Sequence, residues 1–126
     1  MHTGANRMMY SCRAPYGDGI YAGGVHPGKT WGTSAGCAIG WGGMEIVVPP
    51  PVEMIQISGP YKWSKDKSQG TPVQAGKEAD GTPLFICRLK TEDGIHPGKT
   101  RNDWGNCHVG WGGTERSGTD FEYLLV

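Results

Sequence analysis

The chain has 126 residues, a formal net charge of zero and a pI near 6.9, which argues against nucleic acid or an anionic membrane surface as a partner. That length suits one compact unit over residues 1–126 rather than two independent domains. Glycine supplies 22 residues and proline nine, a punctuation too dense for a long helix, and no apolar run approaches a membrane span.

The chain opens without a charged segment leading into an apolar one, so a cytoplasmic protein, or one released by a non-classical route, is expected. Residues 8–14 alternate, with Tyr10, Cys12 and Ala14 on one side and Ser11 and Arg13 on the other, which predicts a half-buried strand. A loop around residues 16–24 follows, then His26-Pro27-Gly28-Lys29-Thr30. Next comes Cys37-Ala38-Ile39-Gly40-Trp41, alternating again, and a Gly42-Gly43 turn before Glu45. After three prolines, residues 52–57 read as a closing strand. Residues 60–79 are a polar connection around Trp63.

The second half then rewrites the first. Residues 84–90 alternate with Phe85, Cys87 and Leu89 on one side. His96-Pro97-Gly98-Lys99-Thr100 and Cys107-His108-Val109-Gly110-Trp111-Gly112-Gly113-Thr114-Glu115 recur 70 residues after their first copies. Residues 121–126 form the last strand. The chain is therefore an internal repeat, about 3–59 and about 80–126, and the expected fold is a compact, all-β, antiparallel protein of two pseudo-symmetric halves sharing one core. The first half carries five extra residues between Cys12 and His26, compared with Cys87 and His96. Insertions of that kind sit at loop tips.

Each motif has competing readings. Gly23 to Thr30 satisfies the phosphate-loop pattern, but no helix start follows and Pro27 removes an N–H from the cradle, so the match is coincidental. The four cysteines fit no zinc or redox spacing and read as buried free thiols ahead of disulfides. Trp41 and Trp111 share a side with Cys and Ile or Val and read as core rather than sugar-stacking residues. Trp31 and Trp104 are not repeat-equivalent, because Trp31 matches Arg101 and Trp104 matches Ser34. A lysine beside Trp31 or Arg101, at a position free to vary between halves, reads equally as ligand surface or loop support. His26 and His96 read as hydrogen-bonded structural residues, and Glu45 and Glu115 as acceptors for loop N–H groups. No catalytic constellation, metal set or cofactor motif is found, so an enzyme is not expected.

The run Asp80-Gly81-Thr82-Pro83-Leu84-Phe85-Ile86-Cys87-Arg88, the turn Pro97-Gly98-Lys99, the Trp111-Gly112-Gly113-Thr114-Glu115 segment and the closing Phe121-Glu122-Tyr123-Leu124 together resemble the DM-nine repeat family. The resemblance spans nearly the whole chain. It implies intertwined antiparallel repeats, a possible homodimer, and non-catalytic, multivalent binding of mannose-containing glycans, as in invertebrate lectins and natterin-type toxins. It also implies a site made by an aspartate before the first strand and the lysine of the Pro-Gly-Lys turn, here Asp80 and Lys99. In the first half Lys29 matches, and the aspartate position falls at Ala5, beside Asn6, whose amide can hydrogen-bond a sugar hydroxyl. Trp31 and Arg101 complete the candidate carbohydrate-binding set. The lead-in Trp63…Pro72…Ala75 has no counterpart in the first half, whose edge must be covered by the second half or by another protomer.

Overall fold

A computed structural model describes residues 9–15, 24–32, 35–50 and 53–126. Among them the chain forms twelve strands in one antiparallel sheet, one 3-10 turn at Lys67–Gln69 and no α-helix. The first half supplies β1 (Tyr10–Pro15), β2 (Gly24–Thr30), β3 (Cys37–Trp41), β4 (Met44–Val48) and β5 (Glu53–Met54). The connection contributes β6 (Lys62–Ser64) and β7 (Gln74–Glu78). The second half adds β8 (Pro83–Thr91), β9 (Gly94–Thr100), β10 (Cys107–Trp111), β11 (Thr114–Gly118) and β12 (Phe121–Leu125). The bounds of β2, β3 and β4 recur, shifted by 70 residues, in β9, β10 and, for its start and end, β11.

Strand β7 pairs with β8 and also with β2, through Gly24↔Glu78 and Val25↔Lys77. It thereby closes β2, β3, β4, β11, β10, β9, β8 and β7 into an eight-strand barrel. The lead-in of the second half is thus what covers the edge of the first. Strands β1, β5, β12 and β6 extend the sheet beyond the ring.

The halves meet through their glycine hairpins. Gly42 and Gly43 have φ of 60° and 81°, and Gly112 and Gly113 have 61° and 87°. Such two-residue turns match strand twist and are open chiefly to glycine. Each hairpin then grips the other: Glu45 N donates to Gly113 O at 3.1 Å and Glu115 N to Gly43 O at 2.9 Å. The carboxylates complete the exchange, accepting from Gly113 N (3.1 Å, Glu45) and Gly43 N (3.2 Å, Glu115). Glycine at 40 and 110 leaves room for this crossing. A Cβ on Gly40 would lie 2.6 Å from Glu115 Oε2, and one on Gly110 would lie 2.9 Å from Glu45 Cγ.

Three expectations need correction. The cysteines are not free thiols: Cys12 is bonded to Cys37 and Cys87 to Cys107, tying the first strand of each half to its third. The halves do not share a single core. Cys12, Ala14, Cys37 and Ile39 cluster in the first half, whereas Cys87, Leu89, Cys107, Val109, Phe121 and Tyr123 cluster in the second. A third cluster joins Ala75, Ile86 and Leu124, with Trp63 packed against it. Strand β8 is accordingly covered on both faces rather than half-buried, since Ile86 and Cys87 are both fully buried. The 16–24 loop lies outside the described residues except for Gly24.

Replacing Cys12 and Cys37 together by serine removes a cross-link spanning 25 residues and should cost about 3 kcal/mol. Denaturant unfolding of the double variant checks the loss. Alkylation of the denatured, unreduced wild type should find no reactive thiol.

Candidate functional site

Inside the barrel β2 and β9 lie against one another. The repeated His-Pro-Gly-Lys segment therefore faces its own copy. Lys29 Nζ is 3.1 Å from His96 Nδ1, and Lys99 Nζ is 2.9 Å from His26 Nδ1. All four residues are buried, the lysines only 0% and 3% exposed. An ammonium only donates, so each imidazole accepts at Nδ1 and carries its proton at Nε2. Burial, reinforced by the Lys29 charge, lowers the His96 pKa to about 4. Burial also lowers Lys29 to about 8, with Glu45 opposing the shift and Arg116 adding to it. Lys99 is lowered by burial against the pull of Glu115 and Glu78.

The two pairs carry different surroundings. Around the first, Lys29 Nζ stands 4.8 Å from the Trp111 ring centre and 5.6 Å from that of Trp31, within cation–π range. The His96 ring is 4.6 Å from that of Trp111. Around the second, Arg101 occupies the place of Trp31. It binds Asp103 through Nε (2.9 Å) and Nη2 (2.8 Å), and its Nη1 is 3.3 Å from Glu78 Oε2. Glu78 Oε1 stands 4.0 Å from His26 Nδ1, beyond hydrogen-bond distance, and its charge acts on the Lys99 ammonium instead. The Arg101 guanidinium is 5.2 Å from the Trp104 ring, which lies 4.2 Å from His108. Burial raises the Glu115 pKa, but His108, the Gly43 N–H and Lys99 together bring it below its ordinary value. The first cluster is thus aromatic and the second is an ion network.

The model of the DM9 repeat matches residues 4–118. The chain belongs to the DM9 repeat family. That family is one of carbohydrate-binding, lectin-type modules. No curated protein matches the chain.

On this DM9 scaffold the anticipated site residues fall into separate places. Lys29 and Trp31 come together, with Trp111 as an unforeseen third member. Trp41 and Trp111 are only half-buried, a correction to the core reading, because each ends its strand at the mouth of a hairpin. Lys99 and Arg101 are linked through Glu78. Asp80 is exposed in the turn between β7 and β8, where its Oδ1 accepts from Thr82 N at 2.9 Å. The Thr82 backbone holds its carboxyl below the usual range, and Arg101 is the cation acting on it. Asn6 lies outside the described residues. The phosphate-loop reading fails on the geometry as well, since Gly28, Lys29 and Thr30 are strand residues of β2. Among the described residues no group of three His, Cys, Asp or Glu side chains converges as a metal site requires, and there is no helix long and apolar enough to cross a membrane. The lysine–histidine pairing went unforeseen, although its signal was present: both copies keep histidine and lysine three residues apart.

The buried pair makes stability depend on pH in a defined direction. Between pH 6.5 and about 4 the unfolded chain takes a proton that folded His96 refuses, so stability falls as pH falls through that window. Between pH 8 and 10.5 the unfolded chain keeps a proton that folded Lys29 has lost, so stability rises with pH there. Urea unfolding of the wild type and of His96→Gln and Lys29→Met should show the acid slope reduced in the first variant. The alkaline slope should be reduced in the second, the loss integrated over each window being on the order of 1–3 kcal/mol. Unaltered slopes in both variants would refute the assignment.

Proposed function

We propose that the protein is a non-catalytic lectin for mannose-type glycans that acts by multivalent recognition. Membership of the DM9 repeat family supports this reading. The observation that carries it within the chain is the first cluster, where a buried ammonium lies against two half-buried indoles, Trp31 and Trp111. A pyranose offers a C–H face to an aromatic ring and oxygens to N–H donors, and it brings no charge to be neutralised. The fully buried Lys29 ammonium is committed to His96 and to the ring faces, so the surface offered to a sugar is that of the half-buried indoles. In the second half, Asp80 supplies an exposed acceptor for vicinal hydroxyls, beside the Arg101 network that Glu78 ties to Lys99. Two weak sites on one chain gain avidity on a multivalent surface, and a homodimer would double them.

The closed cysteine pairs suit an oxidising setting, which favours release by a non-classical route over the cytoplasmic alternative. A second reading, a scaffold that binds another protein, draws on the exposed Met44 and Val47 of β4, 52% and 57% accessible.

A glycan array of the purified protein should return mannose-terminated hits that free mannose displaces. Asp80→Asn, which keeps the turn to Thr82 but removes the charge, should weaken the mannose signal about tenfold without lowering the melting temperature, since hydrogen bonds to a charged acceptor are stronger than those to a neutral one. A blank array, with a specific protein recovered on Met44 and Val47, would favour the scaffold reading instead.

A further inference from the structure

Beyond the lysine clusters, the described residues frame a groove of about 330 Å³ between the two ends of the sheet. Tyr10 and Ser11 of β1, Ile55 and Ile57 after β5, and Tyr61 and Trp63 at β6 line it. A second hollow of about 200 Å³ continues from the shared Tyr61 past Lys62 and Gln69. We infer that this groove is an extended subsite for a neutral oligosaccharide chain, taking the sugar residues beyond the one held at the first lysine cluster. The inference rests on the lectin reading.

Three observations select that occupant. First, the larger hollow is lined by aromatic and aliphatic side chains with hydroxyls among them, and by no charged group among the described residues. Such a surface matches a ligand with alternating C–H faces and hydroxyls, whereas an anionic ligand would find no counter-charge there. Second, its aromatics are prepared rather than buried. Tyr10 is 43% and Tyr61 59% exposed. Trp63 is fixed by the Arg88 guanidinium 4.6 Å from its ring, and Arg88 is itself held by Glu122 at 2.7 Å. Rigid, pre-placed rings cost little entropy on binding. Third, the groove borders the strand that carries the first lysine. In the β1–β2 ladder Tyr10 is paired with Thr30 and Ser11 with Lys29, so one strand spacing separates the backbone lining the groove from the backbone bearing Lys29. An added peptide strand is the weaker occupant, because β5 and β6 are only two and three residues long and offer little edge to extend.

The test is a calorimetric titration of the whole chain with mannose, mannobiose and mannotriose. Wild type should bind the trisaccharide about tenfold more tightly than the monosaccharide, the scale of one or two added aromatic contacts. Tyr61→Ala and Tyr10→Ala, at exposed positions that leave the fold intact, should erase that gain and leave mannose affinity unchanged. Tyr61→Phe should keep most of it, because the ring rather than the hydroxyl makes the contact. Mannose binding with no dependence on chain length, or a gain that survives both alanine variants, would overturn the groove assignment while leaving the lectin reading intact. Absence of binding to any of the three sugars would defeat the lectin reading, and the groove assignment with it.

Discussion

Two buried ammonium groups, each held by an imidazole from the opposite half, set the terms for the rest of the molecule. Taking a lysine charge out of water is costly unless a partner receives its hydrogen bonds. Lys29 finds that partner in His96, and Lys99 finds it in His26. Neither half can satisfy its own lysine in this arrangement. The same reciprocity appears at the hairpins, where Glu45 and Glu115 accept from the backbone of the other half's glycine turn. At the lysine pairs and the hairpins the interface is therefore polar and directional. Hydrophobic packing falls to one cluster beside each disulfide and to a third where Ile55 and Ile57 meet Ile86 and Leu124. A small chain with three modest cores gains from covalent staples, and each cross-link joins the strand pair around which one cluster forms.

Much of this was legible because the repeat carries its own register. Identical residues 70 positions apart predicted matched strands, and paired glycines followed by glutamate predicted tight turns with a carboxylate on loop N–H groups. What the sequence left out was which copy of the loop that carboxylate serves, since a repeat does not distinguish contacts within a half from contacts across it. The cysteines were misread for a related reason. Their spacing matched no motif, and pairing depended on the β1–β2–β3 order bringing Cys12 beside Cys37, a tertiary fact. Trp41 and Trp111 were misplaced because alternation sets the side of a strand on which a residue lies but not its depth. At the last position of β3 and β10 the inward side has already reached the barrel mouth.

The candidate site was legible in its residue types and less so in its grouping. Lys29 beside Trp31 could be anticipated from an extended chain after the Pro-Gly-Lys segment. Trp111 and His96 joined them only through the crossing of β2 and β9. Asp80 and Lys99 were expected as a pair by resemblance. In the structure Asp80 is exposed and interacts with Thr82 and Arg101, and Lys99 is buried on His26. Glu78, unassigned inside a polar connection, relates the two: it pairs with Arg101, whose charge acts on Asp80, and its own charge acts on Lys99.

The divergence between positions 31 and 101 follows from that architecture. The buried lysine–histidine pairs are locked to each other, so a change in one would strand a charge or an imidazole in the opposite half. Around the pairs, positions 31 and 101 are free to differ, because a residue there contacts the pair without completing it. At the rim of the first pair stands an indole, Trp31, with its ring 5.6 Å from the Lys29 ammonium. At the rim of the second stands a guanidinium neutralised by Asp103 and Glu78. A neutral sugar gains contact area from the former and competes with existing ion pairs at the latter. The two halves thus share one buried frame and present unlike surfaces, with the aromatic first half the better suited to a longer chain of sugars.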